Sequence, residues 1–260
     1  MRSKYLAAMV LAAGLPAVTM AAETEGSDGA DKAKWSGDMA LGLLFQRGNT
    51  NSDSLNASIN ATRDSAFWRH TFKADANNEK EKNPDTDEYQ RTAENYYASY
   101  KLDRKLGENS KNYLFNVGTY EKDTFSGYQY EASYALGLGR RWLETDRQTL
   151  DLELGPGYRV QCLEPEDSYG DCANTEESAI ARLGLKYTLQ VTENSDFRQE
   201  VTSEFGDGSA KTRSESVFDT KINSHFSLRL RYLLETDSNA PDGTENTDQE
   251  FSVGLAYKFK

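Results

Sequence analysis

The side chains best suited to chemistry are few, and they are far apart. Two cysteines, Cys162 and Cys172, stand ten positions apart. In an exported chain such an even pair is expected to be oxidised. The bridge would staple one long predicted external loop, adding about 2–3 kcal/mol by the entropic model. No His lies near the pair, so a metal site is not expected there. The two histidines, His70 and His225, are the candidate bases of an outer-membrane lipid-acting hydrolase, which needs a nucleophile within hydrogen-bond reach. His70 is flanked by Arg69 and Thr71 and shares parity with Trp68 and Phe72, a face without Ser. His225 falls in a short turn. Both read as interface residues. Carboxylate pairs such as Glu79/Glu81 and Glu164/Glu166 could do acid–base work. They belong to a wider acidic set with Asp85, Asp87, Glu88, Asp167, Asp171, Asp237, Asp242, Glu245 and Asp248. That set could hold divalent cations or bridge to lipopolysaccharide phosphates. Its spacing matches no calcium loop, and solvated loop charge is the simpler reading. The expectation is therefore no catalytic residue, no metal and no cofactor.

A second group of charges falls on one parity of alternating segments: Arg69, Lys73, Asp75, Arg91, Arg159, Arg182, Lys186, Arg198, Glu200, Glu204, Arg213, Glu215, Arg229 and Arg231. Of these, Arg182, Arg198, Arg213 and Arg229 fall on neighbouring segments and would give a narrow aqueous channel for small solutes an anion-attracting lining. The charges could equally pair across that space and fill it. Both readings require a wall that separates two faces along the whole chain.

That wall is legible as a period of two. Leu183, Leu185, Tyr187 and Leu189 alternate with Arg182, Gly184, Lys186 and Thr188; Phe226, Leu228, Leu230, Tyr232 and Leu234 alternate with Ser227, Arg229 and Arg231. Ten further segments follow the pattern, from Trp35–Phe45 to Phe251–Phe259. In the fifth, Tyr113, Phe115 and Val117 take the apolar face. The ninth (Phe197–Phe205) and tenth (Thr212–Ile222) are weakest. Alternation explains why a membrane-spanning chain can have a mean hydropathy of -0.78 and a net charge of -12, since lipid-facing and lumen-facing residues cancel. Beyond the N-terminus no apolar run reaches a dozen residues, which excludes a helical membrane protein. The acidic balance argues against nucleic-acid binding. The fold expected is all-β: a closed antiparallel transmembrane β-barrel of about twelve strands, outer-membrane type, over residues 35–260.

The flanking features agree. Residues 1–22 carry Arg2 and Lys4, an apolar run and small residues, the order of a cleaved secretory signal peptide; residues 23–34 form a flexible acidic leader. Links after even segments are mostly short and those after odd segments longer and more acidic, as between periplasmic turns and external loops. Trp35, Trp68, Trp142 and Tyr113 fall near the short-turn ends and would form an interfacial girdle. The last strand holds Gly254, Tyr257 and Phe259, like the C-terminal signal read by the barrel assembly machinery, although Lys260 follows the terminal aromatic. Outer membrane lipid, lipopolysaccharide and that machinery are the partners expected of a monomer.

Several motifs carry a family resemblance. They are Trp35-Ser36-Gly37 with Gly48-Asn49-Thr50, Phe67-Trp68-Arg69-His70-Thr71, Tyr120-Glu121-Lys122-Asp123-Thr124-Phe125-Ser126-Gly127-Tyr128, Gly137-Leu138-Gly139, Leu150 to Tyr158, Thr247-Asp248 and Val253 to Phe259. In this order and spacing the chain resembles the salt-induced outer membrane proteins, domain of unknown function 481. Glu131 stands where the family pattern would place an Arg. The resemblance implies an outer membrane location and a link to salt or osmotic stress; it supplies no reaction and no ligand.

Overall fold

Alternating side chains need a partner strand on each side, and the chain supplies them in simple succession. The computed structural model describes residues 34–46, 51–83, 86, 88–163, 172, 174–241 and 244–260. Twelve strands run β1 (Lys34–Gln46), β2 (Ser52–Asp64), β3 (Trp68–Lys82), β4 (Tyr89–Lys105), β5 (Asn112–Asp123), β6 (Tyr128–Glu144), β7 (Gln148–Leu163), β8 (Thr175–Thr192), β9 (Ser195–Gly206), β10 (Ser209–Lys221), β11 (Phe226–Asp237) and β12 (Thr247–Phe259). Each pairs antiparallel with its neighbours in sequence, and β1 pairs with β12, closing the barrel. Closure is what a lipid environment demands, because an open edge would leave backbone donors and acceptors without partners. The signal-peptide and leader assignments over residues 1–33 lie outside the described residues.

The outward face is apolar and the inward face charged. On β6, Leu136, Leu138 and Trp142 are exposed while Glu131 and Ala135 are buried. On β11, Leu228, Leu230 and Tyr232 face out and Ser227, Arg229 and Arg231 face in. The weak periods of β9 and β10 have a local cause. Their outward polar groups satisfy one another across the pair: Gln199 Nε2 donates to Ser214 at 2.9 Å, and the Ser203 and Thr212 hydroxyls bond at 3.0 Å.

Four expectations need correction. First, β5 has the opposite facing: Tyr113, Phe115 and Val117 are buried inside with Ala135, while Leu114 and Tyr120 face out. Tyr113 therefore leaves the girdle, which Trp35, Trp68 and Trp142 keep as exposed residues near the same barrel end. The reason lies on the neighbouring strands. Gly139 offers no side chain, and the Tyr113 ring occupies the place where its Cβ would stand. Second, Arg91 points outward and pairs with Glu94, because a bulge shifts the β3–β4 register so that it sits opposite Lys80. Third, loop asymmetry is weaker than the residue types suggest. The β9–β10 link is only residues 207–208, a tight turn with Asp207 and Gly208 at φ 48° and 75°, as two-residue hairpins require. Strands of 12 to 18 residues exceed the roughly 9–11 needed to cross a bilayer. Polar residues assigned to loops, such as Glu79 and Glu81, continue the ladder instead. Fourth, Cys162 is the penultimate residue of β7 and fully buried; only its partner Cys172 lies in the link.

One close approach carries a prediction. A Cβ at Gly137 would lie 2.2 Å from the Leu154 carbonyl oxygen across the β6–β7 pair. That backbone cannot yield as a flexible side chain would. Gly137→Val should therefore destabilise the barrel by at least about 1–3 kcal/mol, read as loss of the compact, heat-sensitive band in detergent gels; an undiminished band would contradict this packing.

Candidate functional site: the charged interior

Inward parity on twelve strands converges many charges into one enclosed space, where each needs a partner to offset lost hydration. The four arginines Arg182, Arg198, Arg213 and Arg229 all point inward, and each has a carboxylate beside it. Arg229 grips Asp219 with two nitrogens, at 2.8 and 2.9 Å, and reaches Asp38 at 2.6 Å. Arg198 meets the other Asp38 oxygen at 3.4 Å. Arg182 pairs with Glu204, and Arg213 with Glu235 and, at 3.5 Å, Asp75. The lining is thus internally neutralised rather than a bare cationic surface.

The partners come mostly from further acids on the inward parity: Asp38, Asp103, Glu121, Glu131, Asp151, Glu153, Asp219, Glu235 and Glu250. Arg69 bonds Asp103 at 2.7 Å and Arg141 holds Asp151 through two nitrogens. Lys101 joins Asp103 at 3.3 Å and also Glu153, which accepts from the Tyr113 hydroxyl at 2.8 Å. Arg69 and Lys101 both lie against the Tyr113 ring, a favourable cation–π placement. Arg231 binds Glu215, Glu250 and Asp75. Glu131 accepts from Gln161 and Lys211. The acid at that position is therefore part of the internal network.

Several of these bonds cross the interior. Asp75 on β3 receives Arg213 from β10 and Arg231 from β11, and Lys211 on β10 reaches Glu121 on β5. The Lys73 ammonium on β3 bonds the Glu200 carboxylate on β9. Strands β3 and β9 are six places apart either way around a twelve-strand ring. They are diametrically opposed, so a direct bond between them spans the lumen at that level. Lys186 adds a second cation to Glu200 at 2.9 Å. Space remains around this bridge. A cavity of about 270 Å³ lies among Arg69, Lys101, Arg141 and Glu153 and runs past Lys73 and Glu200 to Asp75, Tyr97 and Arg213. One of about 450 Å³ opens among Asp38, Arg198, Asp219 and Lys258 near the chain end. One of about 50 Å³ lies among Glu131, Arg159, Arg182 and Lys211.

The remaining candidates are structural or peripheral. Cys162 and Cys172 form a disulfide. His70 Nδ1 lies 2.8 Å from the Tyr100 hydroxyl on the outer face. His225 Nδ1 lies 2.8 Å from the hydroxyl of its neighbour Ser224 in the exposed β10–β11 turn and stacks on Tyr257. Neither contact brings a buried base, nucleophile and orienting acid together. Among the described residues, no three His, Cys, Asp or Glu side chains converge as metal ligands would. Asp85, Asp87, Glu164, Glu166, Asp167, Asp171 and Asp242 lie outside the described residues. Gly254, Tyr257 and Phe259 fall on the β1–β12 seam. Tyr257 pairs with Met39, and Phe259 with Gly37.

The chain resembles known barrels and one curated sequence. A porin, NanC, superposes with a TM-score of 0.50 at 11% identity, covering 85% of this chain and all of that one. The translocator domain of autotransporter NalP from Neisseria meningitidis gives 0.45 at 11% identity over 89% and 90% of the two chains. At 11% identity the likeness to NanC is one of fold alone. The uncharacterized protein YdiY of Escherichia coli (strain K12) is 30% identical over 227 residues, covering 87% of this chain and 84% of that protein. The family model described as "Protein of unknown function, DUF481" matches residues 39–259, from within β1 to the last residue of β12. That match takes in β2 to β12, most of β1 and the inward-facing charges named above apart from Asp38, and the chain belongs to the DUF481 family.

Proposed function

We propose that this protein is a non-enzymatic barrel of the Gram-negative outer membrane, shut to solutes and serving the envelope as a sealed, stabilising element. The Lys73–Glu200 bond between opposed strands carries the reading, because a porin needs a water-filled channel along its axis. Export by a cleaved segment over residues 1–22 supports the location. So does an insertion signal at Gly254, Tyr257 and Phe259 for the barrel assembly machinery. Lipid and lipopolysaccharide are then its surroundings, the protein is a monomer, and its amount rises under salt or osmotic stress.

Proteoliposomes test this directly. Vesicles carrying the refolded protein should not swell in isotonic sugar solutions, and the native protein should sediment with the outer membrane. Swelling that scales with protein content would overturn the sealed barrel; recovery in the soluble periplasm would overturn the location.

A further inference from the structure

The lipid-facing wall carries a groove, and an unpaired cation stands at its end. The groove, of about 720 Å³, indents the outward side of β6 to β9. Its exposed lining is apolar: Leu138 and Trp142 on β6, Leu154 on β7, Leu183 and Leu185 on β8. Register sets Leu138, Leu154 and Leu183 side by side, and Arg140, Leu152 and Leu185 nearer the short-turn end. Arg140 borders the groove, exposed, with its guanidinium 5.1 Å from the centre of the Trp142 ring. It forms no ion pair among the described residues; Glu144, the next acid along the chain, is held by Arg141 and Lys111. Its neighbour differs sharply. Arg141 faces inward and grips Asp151 through two nitrogens. Arg104 on β4 repeats the outward pattern. It lies over Phe67 at 5.1 Å and Trp68 at 4.8 Å, again with no ion pair among the described residues.

A charge on the lipid face is costly at mid-bilayer and tolerated near the interface. Trp favours that interface, so Arg140 beside Trp142 holds its guanidinium at headgroup depth, where lipid phosphate lies. A guanidinium takes a phosphate through two parallel N–H bonds. The leucines on the bilayer-centre side of Arg140 offer an apolar wall to a chain attached to that phosphate. The volume falls in the range of sites that enclose a small ligand. A second barrel would cover the leucines and leave the guanidinium without an anion; a phospholipid satisfies both. We propose that the groove is a site for one glycerophospholipid of the periplasmic leaflet, with its phosphate on Arg140 and an acyl chain against Leu138, Leu154 and Leu183. The choice of leaflet rests on the outer-membrane location proposed for the barrel; the groove and its cation do not, and they are independent of whether the lumen is sealed.

The test titrates the refolded, detergent-solubilised full barrel with phosphatidylglycerol and, separately, with diacylglycerol, which has the chains without the phosphate. Native mass spectrometry counts the lipids retained. One phosphatidylglycerol per barrel should bind well before any further copy, and diacylglycerol should bind more weakly. Arg140→Gln should weaken that first binding roughly tenfold or more, the loss of a charge-assisted pair, and leave diacylglycerol unchanged. Arg140→Lys, which keeps the charge without the fork, should lie between. Leu154→Trp, which fills the groove, should weaken both lipids. The heat-sensitive compact band, kept in every variant because these side chains face out, separates loss of the site from loss of the barrel. Sedimentation with the outer membrane is read separately, so a failure here leaves the proposed location standing. Equal retention of the two lipids, retention unchanged in Arg140→Gln, or many copies bound with no first tight one would each overturn the proposal. So would preferential retention of lipid A, or a mass of two barrels that excludes phosphatidylglycerol.

Discussion

Replacing Asp38 with Ala is expected to be the most damaging single change on the inner wall. Asp38 lies on β1 within the closing seam, opposite Lys258 of β12, and that seam has a register of only five residue pairs, Gly37↔Phe259 to Leu41↔Leu255. The side chain is buried and accepts from Arg229 at 2.6 Å and Arg198 at 3.4 Å. It thus ties β1 to β11 and β9, beyond its ladder neighbours. Without it two buried guanidinium groups lose a counter-charge at once, although Arg229 keeps Asp219. Removing one partner of such a buried set costs about 3–5 kcal/mol. The denaturant midpoint of the compact band should fall accordingly. Asp38→Asn, which can still accept a hydrogen bond, should lie between the two. An unchanged midpoint in Asp38→Ala would show that the seam holds without this tie.

The second large effect concerns the bond across the diameter. Glu200→Ala leaves both Lys73 and Lys186 without their closest carboxylate. Lys73→Ala with Glu200→Ala leaves only Lys186 in that position. A lone buried charge costs more than a missing pair, so the double variant should be more stable than Glu200→Ala alone. It should also be the more open. With both long side chains cut back at the level where β3 faces β9, discrete current steps should appear in planar bilayers. A double variant less stable than the single, or electrically silent while folded, would mean that other cross-barrel pairs, such as Arg231 with Asp75, carry the closure.

Which parts of this arrangement could be read beforehand follows from what a period of two encodes. It assigns a face to each residue, and where one face must meet lipid the signal is strong, as in β8 and β11. It fails where the inside also needs apolar volume. The ring of Tyr113 fills the space left by Gly139 on β6 and clusters with Phe115, Val117 and Ala135, so β5 presents its larger hydrophobes inward. Parity also breaks at a bulge, which reversed Arg91. Beyond the bilayer both faces are wet and the alternation disappears, so the outer ends of the strands read as loops in the sequence. The inward arginines were readable from parity, and so in principle were their acidic partners, which occupy the same face. The pairings themselves were not. They depend on strand number and stagger, which set the depth of each residue. Lys73 and Glu200 are 127 residues apart, and nothing local marks them as neighbours.

Single-channel recording of the unaltered protein, refolded into planar bilayers, tests the central claim most directly. A lumen closed by its own ion pairs predicts no steady open level at moderate voltage, with the protein shown to be inserted by its heat-sensitive band. A persistent porin-sized conductance in the parent protein, unchanged when Lys73 and Glu200 are both replaced by Ala, would contradict it.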